Sequence, residues 1–527
     1  MHSVGSRTLP RIQPGWVRFA LTSLLVCAAC MSQDATGPGR ATTEFAYLPF
    51  DSAPQFYVSP TGSPSGDGSF ANPWDLATAL SGPAAVTPGS TIWLREGTYS
   101  DGPYYGGYLS NLTGTAAAPI VVRQFPGERA TVTKFLVVQG GYTWYWGFEV
   151  VHTIPQVAPQ LFGIDDHGPG AKFINLVVHD ATGSGIFIQP EATDAEVYGS
   201  IAYNNGRTDN LDHGIYCQSQ TSTLLQDNIV FDNWAFGIHC FAKVGPYLQN
   251  ITLEGNAAFN DYVWGVPSDA DIFVGGHFPA SGIVIDQNYT YRTNDANTKA
   301  ADIGYNLVVN HDIVLTNNYF VGGWSHVGAW ETATVSGNTL FNFADGGMVW
   351  NMGNLSGQTW SRNTFFGDST ALAWRYDSSA VTTFDGWRTL TGLADPGTYA
   401  DSAPTGVKIV VRPNAYEPGR ANIIVYNWER DSTVTVDLSG VLDVGDRYVV
   451  QNAQDFYGTP TASGIYTGGP LQLPMSGIPP PTPLGITPPQ PAPVTGPTFN
   501  VFVLMKTRRD RCVPGEQGDQ EAGGPPR

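Results

Sequence analysis

The sequence predicts an all-β solenoid of short stacked coils, followed by a C-terminal antiparallel β-sandwich. A Gly-Ile-x-Cys strand occurs twice in one phase, at Gly214-Ile-Tyr-Cys217 and Gly237-Ile-His-Cys240, and the phase recurs at Gly163-Ile164, Gly185-Ile186, Asp271-Ile272, Asp302-Ile303, His326-Val327 and Gly347-Met348. Between these strands stands an asparagine followed by mostly apolar residues, at Asn175, Asn228, Asn256, Asn288, Asn318, Asn338 and Asn363. Ser200 fills the remaining slot, and successive markers lie 20 to 32 residues apart. That period denotes stacked units, because one unit cannot bury its apolar face alone. From Lys408 the period gives way to two-residue alternation, in Ile409-Val-Val-Arg412, Ala421 to Trp428, Thr433 to Leu438 and Phe499 to Leu504, which reads as a small antiparallel sandwich.

Each unit reads as three short strands. Asparagine tolerates the left-handed backbone conformation, so a recurrent Asn between strands marks a sharp bend, and coils hydrogen-bond to one another at about 4.8 Å. This pattern resembles the right-handed parallel β-helix of the pectin lyase-like superfamily over roughly residues 55 to 380, with the Gly-Ile-x-Cys strand in the place of that family's first sheet. The segments Phe56-Tyr-Val-Ser, Asn72-Pro-Trp and Thr91-Ile-Trp-Leu resemble the entry of secreted β-helix proteins. Asn72 would cap a short helix with Pro73 at its first position, covering the open end of the first coil. Phe384 to Leu393 reads as a closing segment. The expected organisation is a β-helix with its N-terminal cap over 55–395, a sandwich over 400–505 packed on the last coils and covering their open end, and a tail over 506–527 without periodicity. Residues 478–498, rich in proline, read as an exposed loop.

With 26 Lys and Arg against 45 Asp and Glu, the formal charge is -19, and no basic footprint for nucleic acid is visible. A polyanionic ligand would need a local basic groove or a cation. Arg7, Arg11 and Arg18 precede the apolar run Phe19 to Ala29, the pattern of a secretory signal over 1–30. The run ends Cys27-Ala-Ala-Cys30, which resembles a bacterial lipoprotein signal with Cys30 lipidated. Residues 31–54 read as a tether. The expectation is an exported monomer, a cell-surface or outer-membrane lipoprotein touching the membrane through its lipid alone, or otherwise a secreted protein. Cys217 and Cys240 share an inward slot on adjacent coils and are expected as a reduced pair, with a disulfide as the alternative.

If Ile215 and Cys217 point inward, Gly214, Tyr216 and Gln218 point out. Stacking the coils by their motifs gives three outward columns. The first runs Gly163, Gly185, Gly214, Gly237, Asp271, Asp302, His326 and Gly347. The second contains Asp165, Phe187, Tyr216, His239, Phe273 and Val349, and the third His167, Gln189, Gln218, Phe241, Trp330 and Asn351. Eight of nine histidines fall between His152 and His326. Glycines beside aromatic and polar residues suit a sugar chain, and in the resembled superfamily this face binds and cuts polysaccharide. Tyr216, Gln189, Gln218, Trp330, Arg207 and Lys243 are therefore candidate substrate-binding residues.

Three chemistries fit. As a glycoside hydrolase, Asp271 and Asp302 would be the carboxylate pair of a retaining mechanism, assisted by His239, His326, His213 or Asp269 and needing no cofactor. As a polysaccharide lyase, Lys243, Tyr216 or His213 would abstract the proton beside a uronate carboxylate neutralised by Arg207 or Arg292. As a non-catalytic glycan binder, the chain would use the same face without turnover. Stacked Asp and His leave room for a calcium ion, although no compact spacing names a metal.

Overall fold

The computed structural model describes residues 53–507 apart from 101, 153–160, 208–210, 244, 246–247, 263–269, 294–297, 343–346, 368–372 and 489. The readings placed on Cys30, Asp209, Trp264 and Asp269, and on most of the leader and tail, lie outside the described residues. The chain winds as a parallel β-helix with three faces, each a sheet of twelve strands. In one coil, Ile164–Asp166 belongs to sheet one, Lys172–Ile174 to sheet two and Val177–His179 to sheet three. Sheet one ends in an antiparallel hairpin between Ala373–Tyr376 and Ser379–Val381.

The Gly-Ile phase exists because it fills the core. Ile164, Ile186, Ile215, Ile238 and Ile272 stack in one inward slot. Ile188, Cys217, Cys240, Val274 and Ile303 stack in the next. Each fully buried aliphatic side chain contributes about 1.5–3 kcal/mol. Cys217 lies opposite Cys240, and both are buried free thiols.

The asparagine marker has a different job from the bend expected of it. The left-handed residue is the one before it: Gly199, Asp227, Gly255, Gln287, Asn317, Gly337 and Arg362 have φ between 55° and 71°. The markers themselves form a buried ladder. Asn288 Oδ1 accepts from the backbone N–H (3.1 Å) and Nδ2 (2.9 Å) of Asn256, and its own Nδ2 donates to Leu253 O (2.9 Å) and Asn318 Oδ1 (3.0 Å). The bonding repeats from Ser200 through Asn228, Asn256, Asn288, Asn318 and Asn338 to Asn363. Asn175 is out of phase: with φ 52° it is itself the left-handed residue, and Leu176 takes the ladder slot.

Both ends of the helix are covered. The N-terminal cap is Leu76–Leu80, whose N-cap is Asp75, accepting from Thr78 N, rather than Asn72. At the other end, helix Phe384–Thr391 seats the buried Trp387 against Trp360, Phe365 and Trp374 at 5.9, 5.8 and 5.2 Å between ring centroids. The C-terminal strands therefore do not cover that end. Their five-stranded antiparallel sheet lies flat on sheet three. Ile424, Tyr426, Phe499, Val501 and Val503 pack on Tyr203, Phe231, Phe259 and Tyr291. Its other face, with Ile423, Val425, Phe502 and Leu504, packs on Val434, Val436 and Leu473 of a two-stranded sheet. Strand Arg420–Asn427 is buried on both faces for this reason. Hydrogen bonds pin the proline-rich loop to the β-helix turns. Asn204 Nδ2 donates to Pro481 O, Asn260 Nδ2 to Pro493 O, and Leu484 N to Asp180 Oδ1.

Candidate functional site on sheet one

Strand register fixes which side chains meet. The central outward column runs Asp165, Phe187, Tyr216, His239, Phe273, Asp302, His326, Trp350 and Arg375. Asp302 thus stands opposite Phe273, not Asp271, and the expected Asp271/Asp302 pair is not formed. The column on one side carries His167, Gln189, Gln218 and Phe241, then Gly275 and, by the same register, Gly304 and Gly328 beside Asp302 and His326. Those last glycines leave bare backbone as the floor: a Cβ on Gly304, which has φ 115°, would come within 2.8 Å of Gly328 Cα.

The first column is not part of the groove. Asp302 and His326 apart, its members Gly185, Gly214, Gly237 and Asp271 sit at the corner between sheets three and one, against a second polar ladder in which Asn205 Nδ2 donates to Asn233 Oδ1 (3.0 Å) and Asn233 Nδ2 to Asp261 Oδ1 (2.8 Å). A Cβ on Gly185 would meet Asn205 Nδ2 at 2.6 Å, and one on Gly237 would meet Asp261 Oδ2 at 2.1 Å. Asp271 occupies this slot, fully buried, and ends the ladder. It accepts from Asp261 N (3.2 Å) and pairs with Arg292, Nη2 to Oδ1 at 3.1 Å and Nε to Oδ2 at 3.2 Å. Burial pushes its carboxyl up to about 7 despite Arg292. Asp271 is structural, and Arg292 is already committed to it. Trp330 is also no binding residue: it opens the sheet-two strand Trp330–Ser336 and is 1% exposed in the core.

Asp302 and His326 do come together. His326 Nδ1 lies 2.5 Å from Asp302 Oδ1, Lys299 Nζ donates to Asp302 Oδ2, and His326 Nε2 rests 3.1 Å from Met352 Sδ. A carboxylate and a thioether sulfur both only accept, so each ring nitrogen faces an acceptor; in the neutral ring Nδ1 keeps its proton toward Asp302 and Nε2 has the lone pair. Burial would raise the Asp302 pKa, but the bond and charge of His326 together with Lys299 outweigh it and hold the carboxyl below its ordinary value. Trp350 packs on His326 at 5.1 Å, and Arg375 lies over the rings of Trp324 (4.6 Å) and Trp350 (5.5 Å). Among the described residues Arg375 forms no ion pair and is half-buried.

Tyr216 stacks on Phe187 (4.7 Å) and on His239 (5.0 Å). His213, 1% exposed, bonds His239 Nδ1 through its Nε2 at 2.7 Å. It lies behind the column and touches no open groove. Gln189 Nε2 donates to Asp165 Oδ1 (2.6 Å), Gln218 Nε2 donates to Tyr216 Oη, and His167 bridges Asp165 (3.3 Å) and Glu191 (2.7 Å). Arg207 faces Asp212 at 3.8 Å, and Lys243 is exposed. No three His, Cys, Asp or Glu side chains converge on a point suited to a metal ion among the described residues. Sequence reasoning placed Lys299 only among the loop residues available to the groove and passed over Arg375. Their signal was charge on either flank of the Asp302 and His326 rungs, visible only once the register is right.

No family model and no curated protein matches the chain in sequence. Similar solved structures include a pectate lyase (TM-score 0.42, 19% identity, 62% of this chain and 78% of that one). A rhamnogalacturonan lyase gives a TM-score of 0.43 and 16% identity over 58% of this chain and 84% of that one. A lacto-N-biosidase from Eubacterium ramulus gives 0.42 and 12% over 66% of each.

Proposed function

We propose that the protein is a carbohydrate-active enzyme that holds a polysaccharide along the outward face of sheet one and cleaves it as a lyase, at uronate residues. The observation that supports this is the order of the column: a carboxylate-held imidazole at His326, then Trp350, then Arg375 without an acidic partner among the described residues. In a chain of net charge -19, Lys299 and Arg375 give this end of the groove the local positive charge that a polyanion needs. Hydrolysis by paired carboxylates needs a second carboxyl about 5–9.5 Å from Asp302. Asp271, the candidate for it, is enclosed and paired with Arg292.

His326 Nε2 removes the proton on the carbon next to the uronate carboxylate, once Met352 moves aside. The electron pair passes into the carboxylate, whose growing charge Arg375 offsets, and returns to form a carbon–carbon double bond as the glycosidic C–O bond breaks. The leaving oxygen takes a proton from water or from the imidazolium that His326 has become. Asp302 keeps the imidazole in the tautomer that can accept.

Incubation with uronate polysaccharides should give an ultraviolet-absorbing unsaturated product. Reducing ends without that absorbance would return the chemistry to hydrolysis, and binding without product would leave a glycan-binding protein. His326→Gln and Asp302→Asn should each lower turnover by roughly 10²–10⁴-fold, the usual contribution of a positioned acid or base. Arg375→Gln should lower kcat/KM on uronate polymers by about tenfold to a hundredfold while leaving thermal stability unchanged, because its guanidinium contacts only ring faces among the described residues. We place the protein outside the cytoplasm, anchored through Cys30, on the N-terminal sequence alone. Loss of radiolabelled fatty acid from the Cys30→Ala variant tests this.

A further inference from the structure

A second part of the same groove carries information that the cleavage site does not use. Tyr216 and His239 occupy adjacent rungs of the central column, about 4.8 Å apart, with rings parallel to within 12°. Each is held from behind by a neutral partner. Gln218 Nε2 donates to Tyr216 Oη, so the phenol's own hydrogen is directed elsewhere. His239 Nδ1 meets His213 Nε2 at 2.7 Å, and His213 Nδ1 is buried with no partner among the described residues.

The orphan on His213 settles which way that bond runs. If His213 carried its proton on Nδ1, a buried N–H would go unpaired; if it carries it on Nε2, only a lone pair goes unpaired. Orphaned buried donors are the rarer and costlier case. His213 Nε2–H therefore donates to His239 Nδ1, and the remaining proton of His239 sits on Nε2, which has no partner among the described residues on a side chain 7% exposed. Burial drives His213 down to about 3, and burial together with the neighbouring His213 holds His239 well below its usual value, so neither ring carries charge near neutrality. On the central column the nearest acids, Asp165 and Asp302, are each two rungs away.

We infer that Tyr216 and His239 form a carboxylate-reading subsite, an O–H and an N–H side by side that donate to the two oxygens of a uronate lying on the track ahead of the cleavage site. Three rungs, about 14 Å, separate His239 from His326, so the sugar read here is not the sugar that is cut. The subsite makes recognition of acidic polymer depend on a second carboxylate and disfavours short substrates. This rests on the uronate reading for its ligand, but the tautomer rests on the His pair alone.

The test uses the full chain carrying His326→Gln, so that no turnover interferes, with a galacturonate hexasaccharide and its carboxyl-reduced counterpart as probes. Nitrogen-15 spectra should show the His239 proton on Nε2 and His213 unprotonated at Nδ1. The hexasaccharide should bind at least tenfold more tightly than the reduced form. Tyr216→Phe and His239→Phe, which keep the ring stack, should each reduce that preference several-fold. A His239 protonated on Nδ1, or a preference unchanged in both variants, would overturn the inference. If acidic preference maps to this pair while the unmutated protein never yields unsaturated product, the subsite stands and the lyase reading falls. Product formation with a preference indifferent to Tyr216 and His239 does the reverse: the lyase reading stands and the subsite falls.

Discussion

Replacing Asn288 with alanine lowers stability by on the order of 4 kcal/mol, far more than a surface substitution. The side chain sits in mid-ladder at 0% exposure. Its loss strands the backbone N–H of Asn256, takes one of the two acceptors of Asn256 Nδ2 and the side-chain donor to Leu253 O, and leaves Asn318 Oδ1 with the backbone N–H of residue 288 alone. An intramolecular hydrogen bond is worth about 1 kcal/mol net, and each buried group left unpaired costs about 1–3 kcal/mol. The informative control is the preceding coil position of the next unit, Asn317, a left-handed residue with φ 55° whose Nδ2 bonds Asp286 at the surface. Asn317→Ala should cost about 1–2 kcal/mol, the penalty for alanine in that conformation. Urea midpoints of the two variants decide the matter: if Asn317→Ala is the worse, bending rather than laddering is what the marker supplies.

The repeat was legible because the features that stack the coils are local and periodic: an Ile in the inward slot and an Asn in the ladder. The site was legible only in part, because its geometry depends on register rather than on motif. Asp302-Ile303 looks like Asp271-Ile272, yet Ile303 fills the second inward slot, opposite Val274, and the first is filled by Ala301, too small to announce itself. The slip of two residues moves Asp302 from the corner into the central column. An irregularity between Lys299 and Ala301 then carries His326 beside it. Similarly, nothing in the sequence distinguished an outward glycine beside a groove from a glycine pressed on a buried amide. That distinction came from the second ladder, whose Asn205 and Asn233 lie in loops without a marker strand after them. Trp330 was misplaced for the same reason: the strand that bears His326 ends at Val327, and the tryptophan begins the next face.

Arg292→Leu should destabilise the protein by about 3–5 kcal/mol at pH 7, because removing one partner of a buried pair leaves the other charge uncompensated. The corner holds Asp261 and Asp271, both fully buried, with Asp232 also enclosed and both its oxygens unpartnered among the described residues. Burial raises all three carboxyls, Asp271 adds to the shifts of Asp232 and Asp261, and Arg292 alone pulls the Asp261 and Asp271 pair back by its charge. The sign follows from linkage. A carboxyl raised in the folded state binds its proton more tightly there than in the unfolded chain, so its contribution is fully present below the ordinary value of 3.8 and is lost as pH climbs through about 7. Without Arg292 the carboxyl keeps its proton to still higher pH, so the gap between Arg292→Leu and the unmutated protein should be nearly constant below about pH 6 and widen as pH climbs above about 7. Asp271→Asn makes the complementary case. An amide at that position continues the Asn205 and Asn233 ladder, accepting from Asp261 N as the carboxylate does, and it relieves the repulsion on Asp261. It also gives up the ion pair with buried Arg292 and so should be less stable, but the protein that folds should retain turnover, where Asp302→Asn does not. Loss of turnover in a folded Asp271→Asn protein would put Asp271 back among the reacting groups and with it the two-carboxylate mechanism.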